Sequence, residues 1–135
     1  MKSLADHDSD ELVEIRRAVR SLCSDFPGEY WRKLDANGEY PTAFVQALTD
    51  AGFLAALIPE AYGGSALTLE AAAVIMEEIQ ASGCNGSACH AQMYIMNTIL
   101  RHGSDEQKQQ FLPAIATGAL RLQAFGVTEP TSGTD

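Results

Sequence analysis

The sequence predicts an all-α fold, an orthogonal or up-down bundle of about five helices ending in the first strand of a β-domain. Three observations lead to this class. Apolar residues recur at three- and four-residue spacing in successive stretches; each stretch is bracketed by a capping residue and by glycine or proline; and the alternation expected of a strand comes only at 121–127.

The first helix reads from Asp8 as N-cap, with Glu11 closing a capping box and Leu12, Ile15, Val19, Leu22 and Phe26 on one face, until Pro27 and Gly28 stop it. Residues 30–39 read as a polar loop closed by an Asn37-Gly38 turn. Pro41 suits the first position of a second helix carrying Phe44, Val45 and Leu48, with Gly52 placed for a left-handed C-terminal cap. The short apolar run to Pro59 leads into a tight turn at 60–64 with two permissive glycines, Gly63 and Gly64.

A third helix opens at Thr68, carries Leu69, Ala72, Ala73, Met76 and Ile79 inward, and closes at Gly83. A fourth covers 87–101 with Met93, Met96, Ile99 and Leu100 inward. Ser104 and Gln107 form a capping box for a fifth helix, which Asp105 and Glu106 favour through its dipole and which Pro113 should break into a turn. Gly118 then releases the chain. The division expected is a helical domain at 1–120 and the start of a β-domain at 121–135, whose lone strand needs partner strands that the chain does not supply.

Composition limits the partners. With 135 residues, 46% of them hydrophobic, the chain can bury a core without disulfides or metal. A net charge of −9 repels polyphosphates, so neither nucleic acid nor an acidic membrane is an expected partner. The start, 1–10, has no apolar run and so no secretory signal, and the longest apolar run, 52–59, is far too short to span a bilayer. Three cysteines without a CxxC pair point to reduced thiols in a cytoplasmic setting, and Cys89-His90 stands alone, so no metal site is expected. The Glu77-Glu78 pair invites an acid/base role, but adjacent helical positions diverge by about 100°, which predicts one solvated glutamate and another at most half buried.

The most specific signal is 125–135, Phe-Gly-Val-Thr-Glu-Pro-Thr-Ser-Gly-Thr-Asp. It resembles the flavin-contacting signature of the acyl-CoA dehydrogenase family. Further motifs of that family stand in the same order: Tyr40-Pro41, the 58–64 stretch Ile-Pro-Glu-Ala-Tyr-Gly-Gly, Glu77-Glu78, Arg101-His102-Gly103-Ser104, and Leu112-Pro113 before Gly118.

The resemblance implies a full-length enzyme that binds FAD and converts an acyl-CoA thioester to the enoyl-CoA. A carboxylate base takes the α-proton, the β-hydrogen leaves as hydride to the flavin, and an electron-transfer flavoprotein accepts the electrons. It implies a homo-oligomer, and it places the base outside this chain, so no catalytic residue is assigned and the fragment alone should be inactive. By the same resemblance the backbone of Phe125, Val127 and Thr128 and the Thr128 hydroxyl meet the flavin's pyrimidine edge. Gly133 and Thr134 approach the flavin, and Thr134 also the acyl-CoA arm.

Thr131-Ser132 replaces the small pair usual in this turn, and Gly126 removes a side chain beside the flavin. Two other readings stay open: an acyl-CoA oxidase or flavin monooxygenase on the same scaffold, and a helical interaction module that has lost its flavin.

Overall fold

The computed structural model describes residues 9–124 and 126–133. Among them are six α-helices: α1 (Asp10–Cys23), α2 (Gly28–Asn37), α3 (Thr42–Asp50), α4 (Leu69–Ala81), α5 (Ser87–His102) and α6 (Asp105–Ala116). Short 3-10 turns at Phe53–Ala55 and Glu60–Tyr62 link α3 to α4.

The first helix starts one residue later than expected. Ser9, not Asp8, is the N-cap, and its hydroxyl accepts from the Leu12 amide; Asp8 lies outside the described residues. Helix α1 stops at Cys23, three residues short of Pro27, yet Phe26 still turns inward and packs against the core.

The stretch read as a polar loop at 30–39 is instead most of α2, ending at a left-handed Gly38. No α2 residue is fully buried, so its overall polarity hid it; what carries it is an aromatic corner. Phe26, Tyr30, Trp31 and Phe44 meet edge-to-face at centroid distances of 4.9–5.1 Å. Trp31 Nε1 donates to the Phe26 carbonyl at 3.0 Å, and the Tyr30 hydroxyl accepts from the Phe44 amide at 3.3 Å, tying α2 to the start of α3.

Phe44, Val45 and Leu48 of α3 are buried as expected, and Gly52 is left-handed at φ 79°. The following loop folds back on itself. Ser65, Ala66 and Leu67 amides donate to the carbonyls of Ala55, Ile58 and Ala56. The two glycines of the turn serve different needs: Gly63 takes a φ of 83°, whereas a Cβ on Gly64 would stand 2.0 Å from the Ile58 carbonyl oxygen.

Thr68 caps α4 as predicted, its hydroxyl accepting from the Ala71 amide. The inward face differs from the expected one. Ala72 and Ile79 are buried, but so are Ala71, Val74, Ile75 and Glu78, while Leu69 is 68% exposed. Helix α4 is apolar on two sides, one against α1 through Leu12, Ala71 and Val74, the other open.

In α5, Met93 and Met96 are buried and Ile99 and Leu100 half-buried. The capping box of α6 is present in both directions, Gln107 N to Ser104 Oγ at 3.2 Å and Ser104 N to Gln107 Oε1 at 2.8 Å. Pro113 does not break this helix, which runs on to Ala116. Leu112 and Ile115 on either side of the proline are both completely buried, and that packing offsets the hydrogen bond the proline removes.

The strand expected at 121–127 is absent among the described residues; the one β feature is an isolated antiparallel bridge between Glu129 and Ser132. An extended segment with no neighbour to pair with gains no ladder hydrogen bonds, so the alternating pattern alone does not make a strand. Among the described residues no helix is long and apolar enough to cross a membrane.

Candidate functional site

The carboxyl segment leaves the bundle in two stages. From Leu120 to Gln123 it is held: the Leu120 amide donates to Ala114 O at 2.9 Å, Arg121 reaches Gln46 Oε1 at 3.0 Å, and Leu122 packs on the core. From Ala124 onward the described residues stand out. Gly126, Val127, Thr128, Glu129, Pro130, Thr131 and Gly133 are exposed, and the bonds exchanged by the Glu129 and Ser132 backbones, 3.1 and 3.3 Å, close the turn locally.

Of the predicted cofactor contacts, Val127, Thr128 and Gly133 fall on this one turn; Phe125 and Thr134 lie outside the described residues. Val127 is 64% exposed, a large apolar side chain without a cover. Neither the amides nor the Thr128 hydroxyl of the Val127-Thr128 pair has a hydrogen-bond partner among the described residues. Nothing stands within 4 Å of a Cβ built on Gly126 or Gly133. Free amide donors, a hydroxyl and apolar surface in one open strip are the donor set that one edge of an isoalloxazine requires, so these residues fit the flavin seat on the side they provide.

A second open surface lies on the helices. Along α5, His90, Tyr94, Ile95, Thr98 and Ile99 line an open groove of about 420 Å³. It continues onto α4, where Leu69, Ala73 and Met76 form the second apolar side of that helix. His90 and Tyr94 meet edge-to-face at 5.2 Å in its middle. The signal was in the sequence: Leu69, Ala73 and Met76 keep helical spacing, but on a helix also apolar at 71, 72, 74, 75 and 79, which periodicity alone averages into one broad face.

The paired glutamates are structural. Glu78 is buried more completely than the spacing argument allowed, at 4% exposure, where two arginines of α1 pair with it, Arg16 from a mostly buried position and Arg20 from the surface. Arg20 donates to both its carboxylate oxygens at 2.7 and 3.1 Å, and Arg16 stands 3.7 Å away while bonding Glu77 at 2.6 Å. The Glu78 hydrogen bond and charge raise the Arg20 guanidinium above its usual range. Both oxygens of the Glu78 carboxylate are thereby taken up by α1.

All three cysteines are free and buried. Burial pushes the Cys23 thiol up to about 12, with its neighbour Cys84 adding to the shift, and pushes Cys89 to about 12 as well. No group of three or more His, Cys, Asp or Glu among the described residues could hold a metal ion.

Residues 9–119 match the family described as acyl-CoA dehydrogenase, N-terminal domain. The chain is 32% identical over 129 residues to the acyl-CoA dehydrogenase FadE12 of Mycobacterium tuberculosis, covering 95% of this chain and 33% of that protein. It is 33% identical over 129 residues to the 3-(aryl)acrylate reductase of Clostridium sporogenes, covering 91% and 34%.

Among solved structures, a chain from the electron transferring flavoprotein of Acidaminococcus fermentans superposes with a TM-score of 0.78 at 24% identity, over 95% of this chain and 34% of that one. One from the ChsE4-ChsE5 complex of Mycobacterium tuberculosis does so with a TM-score of 0.66 at 26% identity, over 89% and 30%. The chain spans about one third of the length of the curated relatives it matches. By this match, over most of its length and within an all-helical fold, the chain belongs to the acyl-CoA dehydrogenase family.

Proposed function

We propose that this chain is the N-terminal helical domain, 1–120, and the opening of the middle β-domain, 121–135, of an FAD-dependent acyl-CoA dehydrogenase. The observation that carries the reading is the open turn at 126–133, where Val127 and Thr128 leave apolar surface, amides and a hydroxyl without partners on the described chain. The flavin, when bound, supplies the hydride acceptor. The chain's own residues bind and orient: Thr128 gives its hydroxyl and backbone amide to the polar edge, Val127 covers the flat surface, and Gly133 lets the backbone approach closely. Phe125 and Thr134 complete this seat in the proposal, with Thr134 also meeting the acyl-CoA arm.

The groove on α4 and α5 serves as one wall of the acyl pocket, excluding water from the thioester's apolar chain. No residue of this chain acts as the base. The catalytic carboxylate, the rest of the flavin site and the contacts that make a homo-oligomer belong to the part of the relatives that this chain does not span. The whole enzyme works in the cytoplasm and passes its electrons to an electron-transfer flavoprotein. Substitution of Thr128 by Val in the whole protein is expected to weaken FAD binding by ~1 kcal/mol, the scale of one hydrogen bond. Titration giving the wild-type affinity removes Thr128 from the seat, and a colourless protein that refuses excess FAD removes the reading altogether. Peroxide or an oxygenated product in place of electrons delivered to a carrier indicates an oxidase or monooxygenase on the same scaffold.

A further inference from the structure

Gln92 is the one fully buried polar side chain of α5, at 0% exposure, and it lies on the stripe that also buries Cys89 and Met96. Its Nε2 donates to the Leu54 carbonyl at 3.1 Å. Its Oε1 accepts from Gln123 Nε2 at 3.5 Å, and Gln123 Oε1 in turn accepts from the Tyr40 hydroxyl at 2.8 Å. Three side chains thus join the 3-10 turn after α3, the middle of α5, the entrance to α3 and the carboxyl segment.

We propose that this chain of hydrogen bonds fixes the stem of the 126–133 turn, making Gln92 and Gln123 positioning residues for the cofactor seat. The proposal rests on the reading of that turn as a flavin seat, and it is carried by where the relay stops. Gln123 is the last described residue with a tertiary hydrogen bond before the turn; beyond it the described residues bond only to one another, through Glu129 and Ser132. Gln123 itself is only half-buried and borders an open crevice of about 250 Å³ shared with Tyr40, Asn85 and Ser87.

A buried amide oxygen left without a donor costs more than the bond itself contributes. The Gln92 oxygen has Gln123 as its partner among the described residues, so movement of the stem would strand a polar atom in the core. The core therefore resists that movement. Error in the stem is passed directly to Val127 and Thr128, four and five residues on, and a displacement of about 1 Å is enough to spoil a hydrogen-bonding seat.

The test uses the whole protein with Gln123→Met, Gln92→Met and the double variant. FAD affinity, the shape of the bound flavin's absorption band, the melting midpoint and amide hydrogen exchange at 121–128 are measured for each. Gln123→Met is expected to weaken FAD binding roughly fivefold, as one lost hydrogen bond implies, with a changed flavin band, faster exchange and a lowered melting midpoint, because the buried Gln92 oxygen loses its donor. Gln92→Met has the same effect on the flavin and lowers the midpoint as well, because the Leu54 carbonyl loses its donor. The double variant binds FAD no more weakly than the weaker single one, since both break the same link.

Wild-type flavin affinity and wild-type exchange in Gln123→Met overturn the proposal. If the unaltered protein takes up no FAD, the seat reading fails by itself, and exchange at 121–128 still decides the relay: acceleration supports the anchor, no change overturns it.

Discussion

Substitution of Gly64 by Ala separates two reasons for glycine in one turn. A Cβ on Gly64 would lie 2.0 Å from the carbonyl oxygen of Ile58, 2.4 Å from its Cβ and 2.5 Å from its carbonyl carbon, so backbone must move. That carbonyl accepts from the Ala66 amide at 2.9 Å, and Ile58 itself is completely buried. Losing this hydrogen bond costs about 1 kcal/mol, and forcing the backbone apart adds about 1–3 kcal/mol, for a total of about 2–4 kcal/mol.

Gly63→Ala is the comparison. Its Cβ meets nothing nearer than 3.9 Å, so only the left-handed φ of 83° is penalised, at about 1–2 kcal/mol. Trp31 is the chain's single tryptophan and packs against Phe44, which makes its fluorescence a reporter of unfolding in urea. At an m-value near ~1.5 kcal/mol/M, the Gly64 variant's midpoint should fall by about 1.3–2.7 M and the Gly63 variant's by about 0.7–1.3 M. If Gly64→Ala proves no worse than Gly63→Ala, the close approach of 58 and 64 does not exist as described and the reasoning fails.

Other consequences are equally open to measurement. Ser104→Ala removes the acceptor for the Gln107 amide and should cost ~1 kcal/mol in thermal or urea unfolding; an unchanged midpoint would mean that the α6 capping box contributes nothing. The Glu106 carboxyl is held below its ordinary range by its own backbone amide and then by the Ser104 hydroxyl. A depressed carboxylate stabilises the fold above the ordinary glutamate range and loses that contribution as pH falls, so Glu106→Gln should flatten the acid side of the stability profile. Glu78→Ala should destabilise the chain more than Glu77→Ala, since the Glu78 side chain is 5% exposed and the Glu77 side chain 50%; equal midpoints would contradict the α1–α4 tie. Cys23 and Cys89, with thiols pushed up to about 12, should resist a disulfide reagent at pH 8 until the chain is unfolded in urea; rapid labelling of the native protein would show that their burial is overstated.

Much of the bundle was legible because its signals are local. Thr68, Ser104 with Gln107, Pro41 and Gly52 do their work within one turn of chain, and each stands where its helix begins or ends. The proposed seat is a local signal too, a contiguous stretch of residue types that a flavin edge needs.

What had to wait for the folded chain depends on residues far apart in sequence. Helix α2 is stabilised by Phe26 and Phe44 from outside it, so its own polar composition argued for a loop. Glu78 is buried because Arg16 and Arg20 of another helix pair with it, and Pro113 is tolerated because Leu112 and Ile115 are buried beside it. The alternating residues at 121–127 show the converse. Side-chain pattern is a property of the strand alone, but a strand is made by hydrogen bonds to another segment, and none is at hand. Sequence by itself thus determined the helices with their own caps and the family. Tertiary structure decided which polar residues are buried, which helix survives without a core face, and how Gln92 reaches Gln123, because each of these is set by contacts that no local pattern encodes.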